Sequence, residues 1–87
     1  MMQPMRILDA FRFHDGHVVI LTEASTDSLV KGPVVASLMF GGVVVGNVVI
    51  ESERLPAGEK PGRSFETRSE VDLTLLRSGN CWLRLED

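Results

Sequence analysis

Apolar and polar residues alternate near the start of the chain, between Met5 and His14. The apolar members of this pattern stand at odd positions and are Met5, Ile7, Phe11 and Phe13. Because successive side chains of a strand point to opposite faces of a sheet, a period of two predicts a half-buried β-strand. A second apolar run begins at Val18.

The dipeptide Asp15-Gly16 separates these two runs. Asp-Gly between apolar segments favours a β-hairpin with a two-residue type I′ turn, since both residues tolerate a positive φ. Such a turn pairs His14 with His17. It also places four apolar side chains on one face of the hairpin, namely Phe11, Phe13, Val18 and Ile20.

The most apolar part of the chain lies between Val34 and Ile50, where no charged residue occurs. Val34–Phe40 is predicted to be a strand, and Gly41-Gly42 is predicted to form a second tight turn. This turn puts Leu38, Phe40, Val43 and Val45 on one face and Met39 and Val44 on the other. A turn at Gly46-Asn47 is the competing possibility, and turn chemistry leaves both open.

The remaining segments complete the predicted architecture. Glu23–Pro33 and Glu51–Ser64 are rich in turn-forming residues, which indicates two exposed loops. Alternation resumes at Val71–Leu75 and again at Cys81–Leu85, which predicts two further strands. About six strands without a helix indicate an all-β fold: a small closed or partly open antiparallel β-barrel that forms one domain over residues 1–87.

Length, charge and cysteine content restrict the number of domains, the kind of partner and the cellular location that we expect. Eighty-seven residues suffice for one domain, and the formal net charge of -3 disfavours a polyanionic partner. Cys81 is the single cysteine, so an intrachain disulfide is impossible and a reducing, cytoplasmic location is expected. The N-terminal segment has no signal-peptide pattern. Glycines and valines in the uncharged segment disfavour a helix, so we expect no membrane span.

Candidate chemistry is sparse in this sequence. His14 and His17 would face each other across the first hairpin, but two ligands do not define a metal site. Cys81 occupies an apolar-facing position of its strand, which favours a buried thiol over a nucleophile. The chain contains neither of the common glycine-rich phosphate-binding motifs. The sequence therefore predicts no metal or cofactor and favours a non-catalytic protein.

Three stretches occur in a suggestive order: "ILDAFRFHDGHVVILTEA", then "SLVKGPVVAS", then "LRSGNCWLRL". In this order they resemble the second, β-barrel domain of translational GTPases of the elongation-factor type. Gly16, Gly32 and Gly79 would occupy the glycine positions of that family. The resemblance implies a closed barrel that serves as a docking surface for RNA or protein, without catalysis of its own.

The uncharged segment carries the functional prediction. If the barrel interior takes one face of the second hairpin, then Val35, Met39, Val44 and Val48 lie outside, where water is an unfavourable neighbour. We expect this surface to be covered by another copy of the chain or by a protein partner. The competing explanation is that the Glu23–Pro33 loop or the N-terminal residues fold over it.

The alternative function is an RNA- or ribosome-contacting module. Several basic residues border or occupy the Glu51–Ser64 loop, and Phe65 would be available for stacking on a base. These basic residues are Arg54, Lys60, Arg63 and Arg68. Glutamates interleave with them and the net charge is negative, so nucleic acid is the less favoured partner.

Overall fold

The computed structural model of this chain describes residues 3–24, 29–54 and 62–86. The elements are β1 (Met5–Arg12), β2 (Val18–Thr22), β3 (Val34–Phe40), β4 (Val43–Arg54), β5 (Arg63–Thr67), α1 (Leu73–Leu76) and β6 (Cys81–Leu85). The six strands are all antiparallel and close into a barrel in the order β1-β2-β5-β4-β3-β6. The predicted all-β fold, a small antiparallel barrel, is confirmed.

The core is formed by side chains from every strand that point into the barrel. Its fully buried large members are Met5, Ile7, Val18, Ile20, Val48, Ile50, Phe65, Leu76 and Leu83. In β6 the predicted alternation is confirmed, since Cys81, Leu83 and Leu85 are buried while Trp82 and Arg84 are partly exposed. Strand alternation therefore supplies the interior of the closed sheet.

The first hairpin has a longer turn than predicted. Phe13 donates its N–H to the His17 carbonyl at 2.9 Å, and the Gly16 N–H donates to the Phe13 carbonyl at 2.9 Å. Gly16 has φ +97°, whereas no other residue type in the described ranges has a positive φ. This geometry is a three-residue loop with glycine in the left-handed position, so the predicted type I′ turn is wrong.

The longer turn shifts the predicted register of the hairpin by one residue. Phe11 pairs with Val19 instead of Ile20, and a bulge between Ile7 and Asp9 inverts the phase of β1. Phe11 and Phe13 consequently lie on the outer surface and are 42% and 41% exposed. The prediction that both rings share a face with Val18 and Ile20 was wrong, because two local insertions changed the side-chain phase and only Val18 and Ile20 are buried.

The Val71–Leu75 segment is not a strand, which corrects another prediction. Asp72 caps α1, because its Oδ1 accepts from the backbone N–H of Thr74 at 2.9 Å and of Leu75 at 3.3 Å. The helix buries Leu76 against the core. An aspartate directly before a leucine-rich run is an N-cap signal, and here it outweighs the alternation.

The sixth strand of the barrel, β5, was not predicted from the sequence. It begins inside the segment that was predicted to be an exposed loop. Strand β4 extends to Arg54 and β5 starts at Arg63, so both ends of the Glu51–Ser64 segment belong to the barrel. Residues 55–61 of that predicted loop lie outside the described residues. The loop was predicted too long because its polar strand residues are paired within the sheet, where polar side chains can still face outward.

Gly62 occupies a position that only glycine suits. Its φ is +124°, and a Cβ built on it would lie 2.7 Å from the Thr22 carbonyl oxygen. We expect Gly62→Ala to lower the free energy of unfolding by about 1–3 kcal/mol, measured by urea denaturation. Gly32→Ala is the matched control, since Gly32 lacks a left-handed φ and a Cβ there meets no atom within 4 Å. Equal effects of the two substitutions would contradict the steric argument.

Within the described residues, no helix is long and apolar enough to cross a membrane.

Candidate binding surface

The end of the second hairpin is the most exposed apolar part of the described barrel. Gly41 and Gly42 have φ +60° and +82°, and they join β3 to β4 through a two-residue turn. The predicted pairs of Phe40 with Val43 and of Met39 with Val44 are both present. The competing turn at Gly46-Asn47 is excluded because both residues lie within β4. The Gly41-Gly42 turn is confirmed.

A bulge in β4 exposes three consecutive valines. Leu38 pairs with Gly46 and Met39 pairs with Val44, so Val45 is an extra residue on β4. Val43, Val44 and Val45 are 64%, 47% and 51% exposed. A regular strand would turn alternate side chains to opposite faces, whereas a bulge interrupts that alternation. The segment Gly41–Val45 is called the valine tip below.

Outward side chains of three adjacent strands continue the surface away from the valine tip. Met39 on β3 stands between Val44 on β4 and Trp82 on β6, as the pairing of these residues shows. A groove of about 340 Å³ lies beside this row, lined by Gln3, Pro4, Met39, Gly42 and Trp82. Among the described residues, the groove lining carries no charged side chain, so it continues the apolar character of the tip.

A row of polar residues crosses the same outer face farther from the valine tip. Ser37 donates its hydroxyl to Glu86 Oε1 at 2.5 Å, and Asn47 Oδ1 lies 3.4 Å from the same hydroxyl. Arg84 Nη2 lies 3.3 Å from Glu86 Oε1. The Ser37 hydrogen bond is the main reason that the pKa of Glu86 is lowered below its usual value, although partial burial opposes it. This row separates the apolar pair of Val35 and Val49 from the valine tip.

The predicted apolar interaction residues differ in where they lie: two are next to each other at or beside the valine tip, one is exposed farther away, and one is buried. Met39 pairs with Val44 of the valine tip, and Val35 is 48% exposed beyond the polar row. Val48 is only 2% exposed, so its predicted outward position is wrong. The bulge at Val45 is the reason, because one extra residue turns the side chains that follow it, through Ile50, to the opposite face.

The interior side of this hairpin also needs a correction. Leu38 is buried as predicted, whereas Phe40, Val43 and Val45 are exposed at the end of the hairpin. Strand β5 pairs with β4 only from Ile50 onward. The earlier part of β4 therefore has β3 as its one neighbour among the described strands, and the barrel does not enclose the valine tip.

The two basic residues of the predicted site lie away from the valine tip. Arg54 is exposed, and its Nε is 3.5 Å from Glu66 Oε1. Arg63 is buried in a two-pronged ion pair, with its Nε and Nη2 at 2.8 and 2.6 Å from the carboxylate oxygens of Glu53. Phe65, expected to be available for stacking, is fully buried beneath the Arg63 guanidinium.

A second, polar cavity of about 170 Å³ lies on the outer face near the first hairpin. Its lining consists of His17, Glu51, Glu66, Thr67 and Arg68. His17 Nδ1 is 2.6 Å from Asp15 Oδ1, and His17 Nε2 is 3.8 Å from Glu66 Oε1. The His17 backbone N–H, followed by its side chain, lowers the pKa of Asp15. His17 also stacks on Phe13 at 4.7 Å between ring centroids.

The titratable groups of this cavity do not assemble a metal centre. In residues 3–24, 29–54 and 62–86, no group of three or more His, Cys, Asp and Glu side chains is placed to hold a metal ion. His14 does not pair with His17, because the three-residue turn pairs His17 with Phe13. His17 instead lies between the carboxylates of Asp15 and Glu66 on the sheet surface.

The thiol of Cys81 is buried, as the alternation of β6 predicts. Burial raises the pKa of this thiol, and the Trp82 backbone N–H opposes this effect without outweighing it. A raised pKa keeps the sulfur protonated at neutral pH and makes it a poor nucleophile.

The groove beside Trp82 was not predicted from the sequence. The alternation of β6 correctly places Trp82 outside, and Met39 is likewise predicted to face outward. Their proximity depends on the pairing of β3 with β6, two strands that are far apart in the chain. Local periodicity contains no information on such a pairing, so only the outward direction of each side chain was available.

Comparisons with known proteins identify no relative: no family model, no curated protein and no solved structure matches this chain. The resemblance to translation-factor barrel domains therefore stays a prediction.

Proposed function

We propose that this protein is a small, non-catalytic binding protein that self-associates through its valine tip. The observation that carries the proposal is the exposure of three successive valines on a part of β4 that β5 does not cover. Contiguous apolar patches that are exposed on a protein surface commonly mark contact surfaces. The valine tip is small compared with the interfaces of permanent dimers, which favours a reversible contact over a permanent one.

The absence of charge in this region favours a second copy as the partner. No Asp, Glu, Lys or Arg occurs between Val34 and Ile50. Two identical charged surfaces would repel each other, whereas two identical apolar surfaces both leave water on contact. The RNA-contacting alternative has less support, because Arg63 and Phe65 are buried in the barrel.

Sedimentation equilibrium of the wild type and of Val44→Lys tests this proposal. The wild type is expected to approach twice its 9.6 kDa mass as concentration rises, while Val44→Lys remains monomeric. Lysine on an exposed strand is a common natural guard against association, and Val44 is already 47% exposed, so the fold should be retained.

Val49→Lys is the matched control for this experiment. It introduces the same change on β4, at a residue that is 39% exposed and lies beyond the polar row. We expect Val49→Lys to associate like the wild type, with circular dichroism confirming the fold of both variants. A monomeric wild type at all concentrations would contradict the proposed function.

A further inference from the structure

The free edge of β4 offers a specific way for two copies to join. In the described part of the barrel, β4 pairs with β3 along Val43–Ile50 but with β5 only from Ile50 to Arg54. Its other edge between Val43 and Asn47 therefore has no neighbouring strand among the described residues. A strand edge exposes N–H and C=O groups that can pair with another strand.

The free edge of β4 stops at Val49, where side chains from the segment at the end of β5 bond the backbone groups. The Val49 N–H donates to Ser69 Oγ at 3.0 Å, and the Val49 carbonyl accepts from Thr67 Oγ1 at 2.6 Å. These contacts also show that the Val49 backbone groups point away from β3. Because the direction of backbone groups alternates along a paired strand, those of Asn47 point the same way.

At the other end of the free edge, the Gly41-Gly42 turn fixes the direction in which the backbone N–H and C=O groups point. The Phe40–Val43 pair flanks a two-residue turn and is therefore a hydrogen-bonded pair, which directs the Val43 backbone groups toward β3. The backbone groups of the following residue, Val44, then point to the free edge. Val44 and Asn47 are thus the two residues that would bond a neighbouring strand.

A comparable edge on β1 is covered by the chain itself. Strand β1 pairs with β6 only at Met5 and Arg6. Beyond these residues α1 packs against β1, and Arg77 Nε donates to the Ala10 carbonyl at 2.8 Å. The β4 edge has no such cover in the described residues, and no lysine, proline or charged side chain protects it.

We infer that a second copy of this chain covers the edge, so that two β4 strands pair antiparallel about a two-fold axis. This inference rests on the proposed function and adds its geometry. Identical edges are self-complementary in that arrangement, because the Val44 N–H of each copy faces the Asn47 carbonyl of the other, and the reverse. The pairing also brings the valines of the two tips together, and the lack of charge removes electrostatic repulsion between them.

Amide hydrogen exchange followed by NMR on the wild-type protein tests this inference. Exchange of the Val44 and Asn47 amides is expected to slow at least tenfold between dilute and concentrated samples, in parallel with the rise in mass. The amides of Val43 and Val48 are the internal control, since they point toward β3 and are protected at every concentration.

The outcomes separate the inference from the proposed function. If mass doubles while the Val44 and Asn47 amides exchange equally fast at both concentrations, the edge pairing is overturned and association through side chains alone remains. If mass never rises, both fail. Val44→Lys should abolish the concentration dependence of the Asn47 amide. A dependence that persists in a Val44→Lys protein shown to be monomeric would also overturn the inference, because it would not report pairing between copies.

Discussion

Replacing Phe65 with alanine is expected to lower the free energy of unfolding by about 3–5 kcal/mol. Phe65 is the largest fully buried side chain, and it pairs with Ile20 on β2 and with Glu53 on β4. Its removal leaves a cavity where three strands meet, so the loss combines transfer to water with lost packing contacts. Urea denaturation, with the slope m compared between variants, gives the change.

Phe11→Ala is the matched control for the Phe65 experiment. Phe11 is 42% exposed on the outer face and contacts the Arg77 guanidinium, at 5.8 Å from the ring centroid. The same chemical change is expected to cost roughly 1 kcal/mol or less there, because little apolar surface is buried and no closed cavity forms. Comparable losses for the two variants would show that Phe65 does not belong to the core.

Replacing Glu53 with glutamine is expected to cost about 3 kcal/mol of unfolding free energy, because it removes the carboxylate charge from the two-pronged ion pair with the buried Arg63 guanidinium. Glu53 and Arg63 are only 4% and 7% exposed in their side chains. Glu53 Oε1 also accepts the Val30 backbone N–H at 3.1 Å, so the carboxylate ties the segment before β3 to the ends of β4 and β5.

Two variants separate the buried pair from ordinary surface charge. The double variant Glu53→Leu with Arg63→Met is expected to be more stable than Glu53→Gln, since it removes both buried charges together. Arg54→Ala removes an exposed arginine next to Glu53 and should change stability by about 1 kcal/mol or less. A Glu53→Gln variant as stable as the wild type would contradict the role assigned to the pair.

Acid titration provides a further measurement on the same pair. Burial alone would raise the pKa of Glu53, but the hydrogen bonds from Arg63 and the Val30 N–H, with the Arg63 charge, lower it below 4.5. A lowered folded-state pKa adds stability above the unfolded value, and this stability is lost as pH falls through the folded value. The stability difference between wild type and Glu53→Gln should therefore shrink below about pH 4.5.

Local sequence signals succeeded where one physical requirement dominated. Gly41-Gly42 supplies two positive φ angles, and the structure has the turn there. Cys81–Leu85 alternates without interruption, and its buried and partly exposed positions follow the prediction. At these places backbone sterics and a period of two act over a few neighbouring residues, although the structure was needed to choose Gly41-Gly42 over Gly46-Asn47.

Predictions failed where one inserted residue changed the phase of a strand. The bulge in β1 and the three-residue turn moved Phe11 and Phe13 outward, and the bulge at Val45 moved Val48 inward. A period of two magnifies such errors, because a shift of one residue moves every later side chain to the other face. Bulges are stabilised by pairing with a neighbouring strand, which a single segment does not reveal.

The candidate surface combines both kinds of information. The absence of charge from Val34 to Ile50 and two candidate turns, Gly41-Gly42 and Gly46-Asn47, came from the sequence, and the strand pairing selected the first turn. Three features came only from the folded chain: the burial of Val48, the groove beside Trp82, and the free edge of β4.

The sequence by itself determined that this protein is built from strands, that tight glycine turns join several of them, and that its second hairpin is too apolar to face water along its whole length. The tertiary structure alone decided which of those residues remain exposed. Ring closure pairs β4 with β3 and β5 over different stretches, and exposure depends on these contacts between segments distant in the chain.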